Sequence, residues 1–164
     1  MKTFIKDKLI HFGSKVIDLN KISECSNHKM LLGVNKPSGG FWACPLNAKY
    51  SWKDFIKDDY TSQKHTLKSK VIFDFSGSVF LIESVKDIRY LYKRYKKSIE
   101  GCSRGSIDWE KMVKTEKVDA IAFIHSAFTF NELCNYNSTT WDCDSIVIFN
   151  PSCITAKRNV IVNR

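Results

Sequence analysis

The segment that most constrains the fold runs from Trp141 to Ile154 and reads W-D-C-D-S-I-V-I-F-N-P-S-C-I. Four consecutive apolar residues, Ile146 to Phe149, follow a polar cluster, and an Asn-Pro-Ser turn signal ends the run. A short apolar run that is rich in β-branched and aromatic residues and bounded by turn signals predicts a strand buried on both faces. Asp142 and Asp144 therefore stand at the mouth of a core strand, where a carboxylate can be held rigidly beside a cleft.

The composition of the chain fits one folded domain spanning residues 1–164. Hydrophobic residues make up 43% of it and aromatic residues 13%, which is enough to build a core. The net charge of +9 favours anionic partners such as nucleic acid, a phosphate-bearing cofactor or an acidic protein. A lysine-rich surface that serves only solubility explains the same charge equally well.

The sequence indicates no disulfide framework, metal site or membrane segment. The six cysteines form no C-x-x-C pair, so we expect reduced thiols and a cytoplasmic protein. Cys25 and His28 have the spacing of two metal ligands, but no second pair accompanies them, and we expect no metal. Residues 6–8 are charged where a signal peptide is apolar, and no stretch approaches the ~18 apolar residues of a membrane helix.

Apolar periodicity and turn signals predict an α+β domain of short strands and three helices. Ser51 and Asp54 have capping-box spacing and open a helix at residues 52–58, and an apolar stripe predicts a second helix at residues 85–97. We expect Gly77 to separate two strands, residues 101–105 to form a loop, Ser106 to cap the third helix, and residues 159–162 to add an edge strand. No G-x-G-x-x-G or P-loop motif supports a Rossmann or Walker-type site.

Five segments resemble, in order, small bacterial and phage proteins with an ADP-ribosyltransferase-like fold. They are L-I-H-F-G-S (Leu9 to Ser14), K-P-S-G-G-F-W-A-C-P (Lys36 to Pro45), S-W-K-D-F (Ser51 to Phe55), D-A-I-A (Asp119 to Ala122) and W-D-C-D-S-I-V-I-F-N-P (Trp141 to Pro151). They are similar to the diphtheria-toxin type, whose signature is a histidine, an aromatic residue and an acid. The resemblance covers most of the chain and implies a split β-sheet core flanked by short helices, with NAD as the ADP-ribose donor.

The resemblance also implies roles for individual residues. His11 matches the histidine that contacts the nicotinamide ribose, Trp42 and Trp52 are candidates to hold the nicotinamide ring, and Asp144 matches the catalytic acid. Aspartate stands here where glutamate is commoner in the family. The cofactor-binding residues that we expect are His11, Phe12, Gly13, Ser14, Lys36, Phe41, Trp42, Ser51 and Trp52.

The chemistry of such a site follows from the bond that breaks. Cleavage between ribose and nicotinamide builds positive charge on the ribose, as in glycoside hydrolysis, and a fixed carboxylate stabilises that charge. An aromatic pocket attracts the flat pyridinium cation, and Lys36 can meet the pyrophosphate. We therefore expect Asp144 and His11 to be the catalytic residues.

These observations lead to three hypotheses about function. The first is a mono-ADP-ribosyltransferase that modifies nucleic acid or a nucleic-acid-binding protein, acting as a toxin or a phage effector. The second is a non-catalytic inhibitor module on the same scaffold, which the aspartate at position 144 favours. The third is nucleic-acid binding through the basic helix at residues 85–97.

Overall fold

A long antiparallel pair of strands forms the backbone of the fold. In the computed structural model, which describes residues 1–27, 35–58, 62–99, 102–136 and 138–161, the first strand pairs with the third from Lys2 opposite Phe80 to Phe12 opposite Lys70. The helices and strands are β1 (Lys2–Phe12), β2 (Phe41–Pro45), α1 (Trp52–Asp58), β3 (Ser69–Ile82), α2 (Val85–Tyr95), β4 (Lys96–Ile99), β5 (Cys102–Ile107), α3 (Trp109–Glu116), β6 (Ala120–Phe123), α4 (Phe130–Asn135), β7 (Ser145–Ile148) and β8 (Ile154–Ile161).

Five of these strands close into a barrel-like sheet. The strand order is β1, β2, β7, β6, β3, and β3 pairs again with β1. Among the described strand pairs, only β3–β6 is parallel, and β8 adds a sixth strand by pairing with the first half of β3. Strands β4 and β5 form a separate hairpin. The molecule is a single compact α+β domain, which confirms the predicted class, whereas the ADP-ribosyltransferase-like arrangement remains a prediction.

Alternation along the strands divides the core into an inner and an outer part. Leu9, Ala120 and Ile146 belong to one buried cluster that all five barrel strands contribute to, and this cluster fills the barrel. The neighbouring residues on the same strands face outward. One outer cluster packs under α2, α3 and Trp141, and a smaller one, which contains Ile10, packs under α1. The two outer layers leave a seam between them along β2.

The predicted strand at residues 146–149 is present as β7, and all four of its residues are buried. Helix α1 begins and ends where the sequence predicts, with the Asp54 carboxylate accepting the Ser51 N–H at 2.9 Å. Helix α2 buries Ile88, Leu91 and Tyr95 as predicted, but it ends at Tyr95, two residues before the predicted end, and β4 begins at Lys96.

Three predictions of local structure are wrong. Gly77 does not break a strand: β3 runs through it, and a Cβ there would lie 2.8 Å from the Cys153 sulfur, so close packing explains the glycine. Residues 102–105 belong to β5 rather than to a loop. Helix α3 is capped by Asp108, which accepts the Lys111 N–H at 3.1 Å, and not by Ser106. His28 and Val162 lie outside the described residues.

Candidate functional site

A cavity of about 480 Å³ opens at the seam between the two outer layers. Its volume lies in the range typical of small-molecule sites. The residues that line it come from β1, the segment before β2, β2 itself, the α1 region and the bend before β7: Ile10, His11, Phe12, Lys36, Pro37, Ser38, Gly39, Trp42, Ala43, Cys44, Trp52, Gln63, Thr66, Asp142, Cys143 and Ser145. The cavity therefore unites four of the five segments on which the family resemblance rests.

His11 occupies the point where β1 and β2 separate. The described pairing between these strands covers only Leu9 with Pro45 and Ile10 with Cys44. Beyond it, the His11 Nδ1 lies 2.6 Å from the Trp42 carbonyl oxygen. A carbonyl only accepts, so Nδ1 carries the ring proton, and burial lowers the pKa of His11, which keeps the ring neutral near pH 7. Its Nε2 is then a hydrogen-bond acceptor at the cavity wall.

Two tryptophans line the cavity from different layers. Trp42 packs against Trp141 with their ring centroids 5.3 Å apart. Trp52, the first residue of α1, donates from Nε1 to the Thr66 hydroxyl at 3.0 Å. Both indole rings are therefore held in place by contacts with other residues of the protein.

Lys36 is fixed inside the cavity by three partners. Its ammonium donates to the Thr140 carbonyl at 2.9 Å, lies 3.6 Å from an Asp142 carboxylate oxygen, and stands 5.2 Å from the centroid of the Trp42 ring. The Lys36 charge is thus already balanced in part by Asp142, while its side chain remains about 29% exposed.

The two aspartates of the Trp141 segment have different environments. Asp142 lines the cavity, and burial raises the pKa of its carboxyl group, an effect that the Lys36 charge only partly offsets. Asp144 is 2% exposed and is not among the lining residues. Its carboxylate accepts the main-chain N–H groups of Lys49 (3.1 Å), Tyr50 (3.2 Å) and Ser126 (2.8 Å), as well as the Ser126 hydroxyl (3.0 Å).

Asp142, and not Asp144, is therefore the aspartate in the cavity wall. The four donors occupy the Asp144 oxygens, and they make this side chain a clamp between the bend before β7 and two loops. The acid that faces the cavity together with His11 is Asp142.

Some of the predicted cofactor-binding residues lie beside the cavity rather than in its wall. His11, Phe12, Lys36, Trp42 and Trp52 line it, whereas Gly13, Ser14, Phe41 and Ser51 are not among its lining residues.

These four residues have other contacts. The Gly13 N–H donates to the Ser69 carbonyl, and the Ser14 hydroxyl donates to the Val16 carbonyl. The Phe41 and His11 ring centroids lie 4.5 Å apart, so Phe41 supports the imidazole, and the Ser51 hydroxyl donates to the Asp54 carboxylate at the start of α1.

Sequence reasoning did not select Thr66, Gln63, Cys44, Cys143 or Ser145 as site residues, although the structure places them in the wall. Cys44 follows Trp42 by two residues on one strand, so the period-2 alternation was a signal for it. Cys143 adjoins Asp142. Thr66 and Gln63 lie on a short 3₁₀ segment whose packing no sequence pattern indicated.

Comparison with known proteins gives no family assignment: no protein-family model, curated protein or solved structure matches this chain. In the described part of the chain, no three His, Cys, Asp or Glu side chains are grouped so that they could hold a metal ion. None of the helices among these residues is long and apolar enough to cross a membrane.

Proposed function

We propose that this chain is a mono-ADP-ribosyltransferase that transfers ADP-ribose from NAD to a macromolecule. The observation that carries the proposal is the cavity itself, which brings together His11, Trp42, Trp52 and Asp142 from segments as distant as β1 and the bend before β7. These are the histidine, aromatic and acid components that the chemistry requires, although the acid is Asp142 rather than Asp144.

Each of these groups has a defined task in the proposed reaction. The Nε2 of the neutral His11 accepts a hydrogen bond from a ribose hydroxyl, because the ring proton is on Nδ1 and is donated to the Trp42 carbonyl. Asp142 stabilises the positive charge that develops on the ribose as nicotinamide leaves. The Trp42 and Trp52 faces hold the pyridinium ring by stacking and cation–π attraction, worth about 1–2 kcal/mol.

The Lys36 ammonium is the group that meets the pyrophosphate. In the absence of NAD it forms an ion pair with Asp142. Binding of the pyrophosphate draws the ammonium away, so that the Asp142 carboxylate becomes available to the ribose. The substrate thereby completes the site that acts on it.

The acceptor in this proposal is nucleic acid or a nucleic-acid-associated protein. Helix α2 and the start of β4 expose a basic face that is suited to a polyanion: Lys86, Arg89, Lys93, Arg94, Lys96 and Lys97. The biological role would be that of a cytoplasmic toxin or phage effector, which is an analogy with the resembling family.

Incubation of the protein with NAD labelled in its adenylate moiety, together with cell lysate, tests this proposal. We expect label to appear in macromolecular material with wild-type protein and to fall about 100-fold or more with Asp142→Asn. Glu132→Gln, in the first turn of α4 and not among the lining residues of the cavity, is the matched control and should retain wild-type transfer. Transfer that persists in Asp142→Asn would remove the assigned role of Asp142, and its absence from wild-type protein that binds NAD would remove the proposed activity.

One observation favours a second function, a non-catalytic inhibitor module. Asp142 is engaged by Lys36, and Asp144 is engaged by four donors, so neither carboxylate is unpaired. This alternative predicts that Asp142→Asn leaves the biological effect of the protein intact, whereas the transferase proposal predicts its loss.

A further inference from the structure

Two cysteines meet in the wall of the cavity. The Cys44 and Cys143 sulfur atoms are 3.8 Å apart, although the residues are 99 positions apart in the chain. Cys44 lies on β2 and Cys143 in the bend before β7, and their exposed fractions are 4% and 3%. Both residues line the cavity.

The hydrogen bonds around the pair distinguish the two thiols. The Trp52 N–H donates to the Cys44 sulfur at 3.4 Å. The Ser145 hydroxyl donates to the Cys143 carbonyl at 2.7 Å, so its proton is not offered to the Cys143 sulfur 3.3 Å away. The Cys143 thiol can then donate to Cys44 or to the Ser145 oxygen, and when it donates to Cys44, the Cys44 sulfur accepts hydrogen bonds from both Cys143 and Trp52.

These donors favour negative charge on the Cys44 sulfur. The hydrogen bond from Cys143 lowers the pKa of Cys44, and the same bond together with burial raises the pKa of Cys143. The thiolate is the reactive form of cysteine, so Cys44 is the nucleophile and Cys143 the neighbouring thiol.

We propose that Cys44 and Cys143 form a reversible disulfide in the cavity wall when the protein meets a hydroperoxide. The Cys44 thiolate attacks the terminal peroxide oxygen, the O–O bond breaks, and the leaving alkoxide or hydroxide takes up a proton. This gives a sulfenic acid on Cys44. The Cys143 sulfur then attacks the Cys44 sulfur, releasing water, so that two thiols are oxidised and one peroxide is reduced. A dithiol reductant restores the pair.

Closing the disulfide changes the cavity. The sulfurs must approach from 3.8 Å to about 2.05 Å, a movement of about 1.8 Å. Asp144, the residue after Cys143, is held firmly in the bend. Its main-chain N–H donates to the Tyr50 carbonyl, and its carboxylate accepts four further hydrogen bonds. We therefore expect part of the displacement to reach Asp142, on the other side of Cys143.

The next step rests on the proposed function: if the cavity binds NAD, oxidation of the cysteine pair weakens that binding. A displacement of about 1 Å at a reacting group can cost about 100-fold in rate. Asp142 also pairs with Lys36, the group that we propose meets the pyrophosphate, so its displacement should move Lys36, and we expect the Kd for NAD to rise about tenfold or more in the oxidised protein.

Titration of the intact protein with hydrogen peroxide tests the pair directly. Peptide mass analysis without reduction should show Cys44 linked to Cys143 before other cysteines react. Cys25 is the internal control: it is not among the lining residues of the cavity, and burial raises the pKa of its thiol to about 12, so it should react at least about tenfold more slowly than Cys44. A pair that stays reduced while Cys25 is oxidised would overturn the proposal.

Single variants test the order of the two steps. In Cys143→Ser, dimedone should trap a sulfenic acid on Cys44, whereas in Cys44→Ser it should label Cys143 at least about tenfold less. Equal labelling of the two would overturn the assignment of Cys44 as the first nucleophile.

The Kd for NAD, measured in the reduced protein and in the disulfide form, separates this inference from the proposed function. NAD binding in neither form, with the disulfide present, would contradict the function alone. Equal binding in both forms would contradict the coupling between the cysteines and the site, and absence of the disulfide would contradict only this inference.

Discussion

Ser126 donates to the Asp144 carboxylate twice, from its main-chain N–H at 2.8 Å and from its hydroxyl at 3.0 Å. The same carboxylate accepts the N–H groups of Lys49 and Tyr50. One buried side chain thus joins the loop before α1, the loop after β6 and the bend before β7. Because that bend also carries Asp142 and Cys143, the clamp determines the shape of the cavity wall.

Replacing Asp144 by alanine should destabilise the fold. The change removes a buried carboxylate and leaves the N–H groups of Lys49, Tyr50 and Ser126 without their acceptor, and we expect a loss of about 3 kcal/mol in the free energy of unfolding. Urea denaturation measures it. The matched control is Asp142→Ala, whose partly exposed ion pair with Lys36 should contribute about 1 kcal/mol or less. Similar losses in the two variants would contradict the structural role of Asp144.

The stability of the protein should fall on acidification below about pH 6.5, the ordinary pKa of histidine. Burial lowers the pKa of His11 and of His125 in the folded state, so the unfolded chain binds more protons in this window. The contribution is present above pH 6.5 and is lost as the pH falls through the folded-state values.

Urea denaturation between pH 7.5 and pH 5 tests this dependence. His11→Asn keeps a donor for the Trp42 carbonyl but cannot titrate, so it should reduce the slope of stability against pH. His125→Asn should remove a further part. An unchanged slope in both variants would show that other groups dominate.

Gly40 should not tolerate a side chain. A Cβ at this position would lie 2.5 Å from Val147 Cγ2 and 2.9 Å from the Phe149 ring, and its φ of +67° is already unfavourable for other residues. We expect Gly40→Ala to cost about 2–5 kcal/mol.

Gly13 provides the matched comparison for Gly40. Its φ is also positive, at +97°, but the nearest atom to an added Cβ is 3.8 Å away. Gly13→Ala should therefore cost only the backbone strain, about 1–2 kcal/mol. Thermal or urea unfolding of both variants measures the difference, and equal costs would contradict the packing of β2 against β7.

Trp42 should contribute directly to NAD binding. Trp42→Leu removes the aromatic face while keeping an apolar side chain, and the lost stacking and cation–π attraction should raise the Kd for NAD about tenfold. Calorimetry or intrinsic fluorescence measures it. Phe130→Leu, at a position that is 74% exposed and outside the cavity wall, should bind NAD as the wild type does. An unchanged Kd in Trp42→Leu would place the nicotinamide elsewhere.

Local sequence patterns predicted the structure correctly where the residues of a segment determine it by themselves. The apolar run at β7 and the cap of α1 were predicted because burial on two faces and a Ser–Asp pair leave clear marks on neighbouring residues. The predicted strand end at Gly77 was wrong, because the sequence does not distinguish a glycine that makes room for the Cys153 sulfur from a glycine that ends a strand.

Local sequence patterns could not predict which of Asp142 and Asp144 lines the cavity. The two are separated by one residue, and their roles differ because Asp144 meets donors from residues 49, 50 and 126. Those partners lie far away in the chain, and only the tertiary structure brings them to one carboxylate and leaves the other facing the cavity.

The structure of the protein bound to NAD tests the central claim most directly. The claim predicts that the nicotinamide ribose lies between the His11 Nε2 and the Asp142 carboxylate, with Lys36 turned toward the pyrophosphate. NAD bound outside this cavity, or bound with its ribose against neither residue, would contradict it.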